Sequence, residues 1–235
     1  MIKEKFKKIK KYFKENKLSA LVTIFLGVTT FLVAWSGWIG SLHGGLQAIN
    51  FTKSNNLASQ GNAEYNVAAQ VYVSDLFSWN TLLTLQTDLD IAKAKGDQSE
   101  VNTIKTKIEK IKSNSCSPRL LAAINQTDLE KGVSPFENEE FTSGYFEEAK
   151  KLLDESQAAM EEGKQDNTRG DSFQLASVFY SLVLFLLGLV GVIKEYQSRK
   201  LLFIISMVIL AIAIIYMLTL PMPTGFDITS FFNHQ

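Results

Sequence analysis

The sequence predicts an all-α membrane protein: three transmembrane helices, with an extracytoplasmic helical bundle or coiled-coil-like domain inserted between the first and the second. Three observations carry this prediction. From Leu18 to Thr52 there is no Asp, Glu, Lys or Arg, and two further uncharged apolar stretches follow at Ser172 to Ile193 and Leu201 to Leu220. About 20 such residues, at ~1.5 Å rise each, cross a hydrocarbon layer roughly 30 Å thick. The intervening section repeats its apolar residues every three or four positions, the helical period. Charge is also segregated: residues 41–171 hold thirteen basic and twenty acidic residues, a formal charge of −7, whereas eight lysines crowd the first 17 residues.

Residues 1–17 form the first section. Ile2, Phe6, Ile9, Tyr12 and Phe13 gather on one stripe among the lysines, which predicts a basic amphipathic helix on the anionic inner leaflet, with Lys7, Lys8, Lys10 and Lys11 at the membrane surface. The tail is then cytoplasmic by the positive-inside rule. A secretory signal peptide shares this layout, but the apolar run that follows exceeds the usual ~7–15 residues of such a segment, which favours a retained span. Basic residues confined beside a span also argue against a nucleic-acid partner, which needs them spread over a folded face.

The first span is residues 18–42. Trp35 and Trp38 at its far end suit the headgroup region, and Ser36, Gly37 and Gly40 offer a surface that another helix can approach closely. Gly44 and Gly45 then predict a bend. Residues 43–171 form the extracytoplasmic domain. Tyr65, Ala68, Tyr72, Leu76, Trp79 and Leu83 form one stripe, which Leu46, Ile49 and Leu57 extend upstream. Such an aromatic stripe is ordinary helix core unless other chemistry joins it. Gly96 stops this helix, and Ser99 opens a second one with Val101, Ile104, Ile108 and Ile111 inward and Lys105, Lys107, Lys110 and Lys112 solvated. Ser117-Pro118 restarts a short helix, with Pro at the first helical position. Residues 125–137 read as loop. A third long helix starts near Glu139, with Phe141, Tyr145, Phe146, Ala149, Leu152, Leu153, Ser156, Ala159 and Met160 inward.

The second span is residues 172–193. Ser177, Ser181, Gly188 and Gly191 place small residues along one side, the usual mark of helix packing. Residues 194–200 form a short basic, hence cytoplasmic, turn. The third span, 201–220, ends at Pro221, and the tail 221–235 is extracytoplasmic. The location is therefore a cell membrane crossed several times.

Site chemistry is sparse. Cys116 is the single cysteine and forms no intramolecular disulfide, and His43 and His234 are too far apart in sequence to suggest zinc. The acidic pairs Glu147-Glu148 and Asp154-Glu155 read as solvated helix faces, with no His or Cys to complete an active site. The expectation is no catalytic residue, no cofactor and no metal. Asn50 and Asn125 each begin a glycosylation sequon, a short pattern frequent by chance.

The chain resembles an uncharacterised family of prokaryotic three-span membrane proteins. The resemblance rests on Ala34-Trp-Ser-Gly-Trp38, the Ala/Asn-rich helix after it, Ser134-Pro-Phe136, the stretch from Ala158 to Leu187, and Thr219-Leu-Pro221. It implies the three-span layout with a helical extracytoplasmic domain and no catalytic residue. The function expected is a non-enzymatic membrane protein whose outer domain mediates self-assembly or docks a protein partner. A homo-oligomer in the lipid bilayer follows from the small-residue faces and from Tyr65, Tyr72 and Trp79. The alternatives are a ligand-sensing membrane protein with a four-helix-bundle-like outer domain, a small oligomeric channel or transporter subunit, and last a membrane enzyme.

Overall fold

The computed structural model describes residues 17–126 and 133–223. The predicted amphipathic tail, most of the loop after Gln126, and the tail beyond Pro223 with His234 lie outside the described residues. Those described are helical with no strand. The elements are α1 (Lys17–Lys95), α2 (Gln98–Ser115), α3 (Pro118–Gln126), a 3-10 turn at Pro135–Glu137, α4 (Glu139–Ser143), a second 3-10 turn at Gly144–Phe146, α5 (Glu147–Val192) and α6 (Tyr196–Thr219). Three of these helices are long and apolar enough to cross a membrane, and only 17–28 % of the residues in their apolar windows are buried. Their apolar sides therefore face outward, which a hydrocarbon solvent accommodates and water does not.

The contacts divide the chain into two units, residues 1–52 with 159–235, and residues 53–158. In the first, Ala176, Tyr180, Val183 and Leu187 of α5 pack on Leu210 and Ala213 of α6, flanked by Phe25, Leu26, Leu32 and Val33 of α1. Tyr180 donates its hydroxyl to the Ala213 carbonyl at 3.2 Å. At the α5–α6 turn, Arg199 donates Nε to the Val190 carbonyl and Nη2 to Ser19 Oγ, both at 3.0 Å. A cation on the last carbonyls of α5 complements the negative end of its dipole.

In the second unit, Trp79, Leu82, Leu89 and Ala92 of α1 form a core with Val101, Ile104 and Ile108 of α2 and Leu120 and Ile124 of α3. The α1–α2 turn closes as the sequence predicts. Gly96 takes φ +76°, its N–H bonds the Lys93 carbonyl and the Asp97 N–H bonds the Ala92 carbonyl, the two bonds of a Schellman cap. Asp97 then caps α2 by accepting from Ser99 and Glu100 N–H at 3.1 and 3.0 Å.

Gly44 and Gly45 do not interrupt the helix, because α1 runs unbroken through them. Each helical glycine weakens the helix by up to ~1 kcal/mol relative to alanine, but packing of the residues around them on α5 and α6 outweighs that preference. Ile49 is likewise exposed rather than part of the inward stripe.

Candidate functional site

Buried positions of α1 include a seven-residue series in each unit: Val22, Thr29, Ser36 and His43 in the first, and Ser54, Gly61, Ala68, Asp75, Leu82 and Leu89 in the second. On α5, Ala149 and Ser156 repeat at the same interval in the second unit, and Ala159, Asp166, Phe173, Tyr180 and Leu187 in the first. Small residues at these positions permit close approach. A Cβ on Gly61 would lie 2.9 Å from Leu153 Cγ, and one on Gly40 would lie 3.3 Å from the Gly170 carbonyl. Ser54 and Ser156 bond hydroxyl to hydroxyl at 3.1 Å, and Ser156 also donates to the Ser54 carbonyl at 2.8 Å.

Two carboxylates interrupt these seams. Asp75, 1 % exposed, accepts the Ser117 N–H at 2.8 Å, the Ser117 hydroxyl, and the Tyr145 hydroxyl at 2.7 Å. Ser117 also caps α3, accepting the Leu120 N–H at 3.2 Å, so one side chain ties the α2–α3 turn to α1. Arg119 lies over the rings of Phe141 and Tyr145, 5.4 and 5.3 Å from their centroids, and donates to the Phe141 and Glu140 carbonyls of α4. Tyr72, Phe136, Phe141 and Tyr145 pack edge to face around them. Burial pushes the Tyr145 hydroxyl up, and its bond to the Asp75 carboxylate adds to the shift. Burial, then the charge of Asp75, also raises the Cys116 thiol, with Lys112 opposing. The thiol is thus held in its unreactive form.

The second carboxylate is Asp166. It faces His43 Nδ1 at 3.1 Å through Oδ1, accepts Asn50 Nδ2 at 3.2 Å through Oδ2, and lies 3.5 Å from Arg169 Nη1. The other ring nitrogen of His43, Nε2, is 3.1 Å from the Pro221 carbonyl. The ring stacks on Phe173, centroids 5.8 Å apart and 24° between planes. The sequence treats His43 as an ordinary interfacial residue, but it is fully buried.

The other predicted site residues are distributed as follows. Ser36 is buried and donates to the Phe173 carbonyl at 2.7 Å, and Gly40 sits at the close approach. Gly37 meets nothing within 4 Å of a Cβ. Trp35 and Trp38 pack edge to face at 5.3 Å. Trp79 is core, Tyr72 is half-buried, and Tyr65 stays half exposed while tilting against Phe146 at 5.0 Å. Within the chain, the second span packs through Phe173, Ala176, Tyr180, Val183 and Leu187, so Ser181, Gly188 and Gly191 point away from it and only Ser177 is half-buried. Lys7, Lys8, Lys10 and Lys11 lie outside the described residues. No cluster of three or more metal-ligating side chains occurs among those described.

A further surface lies on α1 of the second unit. Asn66, Ala69, Gln70, Val73, Ser74 and Phe77 line a shallow groove open to solvent. Their three- and four-residue spacing makes them one helical stripe, on which Phe77 is 69 % and Val73 46 % exposed. Comparison with family models, with curated proteins and with solved structures returns no match.

Proposed function

We propose that the chain is a non-enzymatic integral membrane protein that self-assembles through its helical domain. In this reading residues 43–171 and the C-terminus are extracytoplasmic and the N-terminal tail lies on the anionic inner leaflet, as in the membrane family the sequence resembles. The observation that carries it is the Asn66 to Phe77 stripe. A phenylalanine more than two-thirds exposed, next to Val73 and Ala69 at helical spacing, is an apolar face left uncovered by the described residues, and such faces mark association surfaces. Asn66, Gln70 and Ser74 supply the polar groups that set register in a helix-on-helix contact, as buried Asn does in coiled coils. The exposed Gly188 and Gly191 offer a second face within the membrane, where small residues let copies approach.

The test is the mass of the detergent-solubilised full chain by light scattering. A defined oligomer is expected, reverting to monomer in Val73→Glu/Phe77→Glu with helical content unchanged. An oligomer unaffected by that variant removes the stripe from the interface, and a wild-type monomer in both detergent and lipid nanodiscs sinks the proposal. Gly188→Leu/Gly191→Leu tests the membrane face separately, because a Cβ at either glycine meets no other group of the described residues within 4 Å.

A further inference from the structure

We propose that His43 is a proton-operated latch that holds the end of the third span to α1 and α5. The argument begins with hydrogen-bond capacity. Neutral imidazole has one N–H and one lone pair, whereas imidazolium has two N–H groups and no lone pair. His43 presents Nδ1 to a carboxylate oxygen and Nε2 to a carbonyl oxygen, each at 3.1 Å. With Asp166 ionised both partners are pure acceptors, and the doubly protonated ring is then the form that satisfies both. His43 is fully buried and Asp166 is 4 % exposed, so the ring and its carboxylate are shielded, whereas Pro221 is exposed and its carbonyl has water as an alternative partner.

One carboxylate and one guanidinium lie around the ring. On α5 the groups facing the ring are the Asp166 carboxylate and, behind it, the Arg169 guanidinium at 3.5 Å from Oδ1. Arg169 also reaches Gln165 Oε1 at 3.4 Å, which divides its pull on Asp166. Asn50 on α1 contributes a neutral amide to the other carboxylate oxygen. The end of α6 contributes only backbone, and beyond it Glu161 and Lys164 pair with each other at 3.6 Å on the rim of a hollow lined also by Leu220 and Pro221. Asp166 is thus the one carboxylate in contact with the ring among the described residues.

Loss of the proton has a directional consequence. The remaining N–H stays on Nδ1, because a carboxylate is a stronger acceptor than a carbonyl. Nε2 then turns a lone pair on the Pro221 oxygen, and the contact becomes repulsive. Pro221 has no N–H to replace it, and the last helical cap above it is a single bond from the Leu220 N–H to the Met217 carbonyl at 3.2 Å. The α1–α5 side of the cluster persists while the α6 end is released. The latch is closed with the ring protonated and open with it neutral.

The experiment uses full-length protein in lipid nanodiscs, in a His234→Asn background so that His43 is the one imidazole. Ring nitrogen-15 shifts and amide protection factors for residues 216–220, corrected for intrinsic exchange, are read from about pH 5 to about pH 9. Two protonated ring nitrogens and high protection are expected at the acid end. At the alkaline end one protonated nitrogen and a loss of protection of about tenfold are expected, matching one charge-assisted hydrogen bond. His43→Gln should show the low protection at every pH. A ring that is neutral throughout, or a protection profile with the same pH dependence in His43→Gln, overturns the latch. If His43→Gln does not fold, the ring shifts and protection of the His234→Asn protein decide alone.

Discussion

Asp75 and Asp166 are both buried carboxylates on seven-residue seams, yet they are neutralised in opposite ways. Asp75 is surrounded by donors that carry no charge: one backbone N–H and two hydroxyls. Its surroundings are a static knot in which a helix cap, a turn and an aromatic cluster converge on one residue. Asp166 instead faces an imidazole and a guanidinium, and its remaining oxygen takes an amide. The first arrangement holds no histidine; the second holds one. The difference separates a fastening from a device, although both look alike as an Asp in a helical stripe.

Removal of the carboxylates should widen that contrast most. Asp75→Ala strands three part-buried donors and should cost about 3 kcal/mol, seen as collapse of hydrogen-exchange protection across α2 and α3. Asp166→Ala should cost less, about 1–3 kcal/mol, because Asn50 and Arg169 reach water and the ring of His43 can lose its proton. Equal losses would erase the distinction. The close approaches come next. Gly61→Val drives a side chain into Leu153 and should lower stability by about 1–3 kcal/mol in thermal unfolding, whereas Gly37→Val meets open space within its chain and should leave it nearly unchanged.

Tyr145 sharpens the Asp75 side through alkaline pH. Its hydroxyl is raised on folding, by burial and then by Asp75, so its stabilisation is complete below the unfolded value of about 10. It is lost as pH rises from there through the raised folded value. Tyr145→Phe should cost about 1 kcal/mol at neutral pH and flatten the alkaline limb of a circular-dichroism titration; an unchanged limb would assign it to other groups. The smallest effect is expected at the exposed Lys93–Asp90 pair, 3.2 Å apart. Asp90→Asn should change stability by no more than about 0.5 kcal/mol, which calibrates the buried carboxylates against a solvated one.

Helical periodicity found the flanks of the packing better than its axis. Tyr72, Trp79 and Leu83 mark the correct side of α1, and every inward residue expected from Phe141 to Met160 is buried or half-buried. Of the line Ser54, Gly61, Ala68 and Asp75, only Ala68 belongs to the apolar stripe, because the other three are small or polar. Apolar periodicity detects bulk, and where two backbones come nearest there is least room for it. The buried polar clusters were hidden for a related reason: Asp75 meets Ser117 and Tyr145, and His43 meets Asp166, across separations of 42, 70 and 123 residues. A seven-residue count with a charged residue on the repeat was the signal available.

By itself the sequence determined what solvent demands locally. Three uncharged stretches require a nonpolar surrounding, Gly96-Asp97 requires a stop and a cap, and the lysines of α2 require water. These are properties of consecutive residues and survive without knowledge of their neighbours. Only the tertiary structure decided that Gly44 and Gly45 stay helical, that Gly188 and Gly191 face away from the chain's own packing, and that His43 finds an acceptor at each nitrogen. Those outcomes depend on which distant groups arrive within about 3 Å, where hydrogen bonds form and steric contact begins.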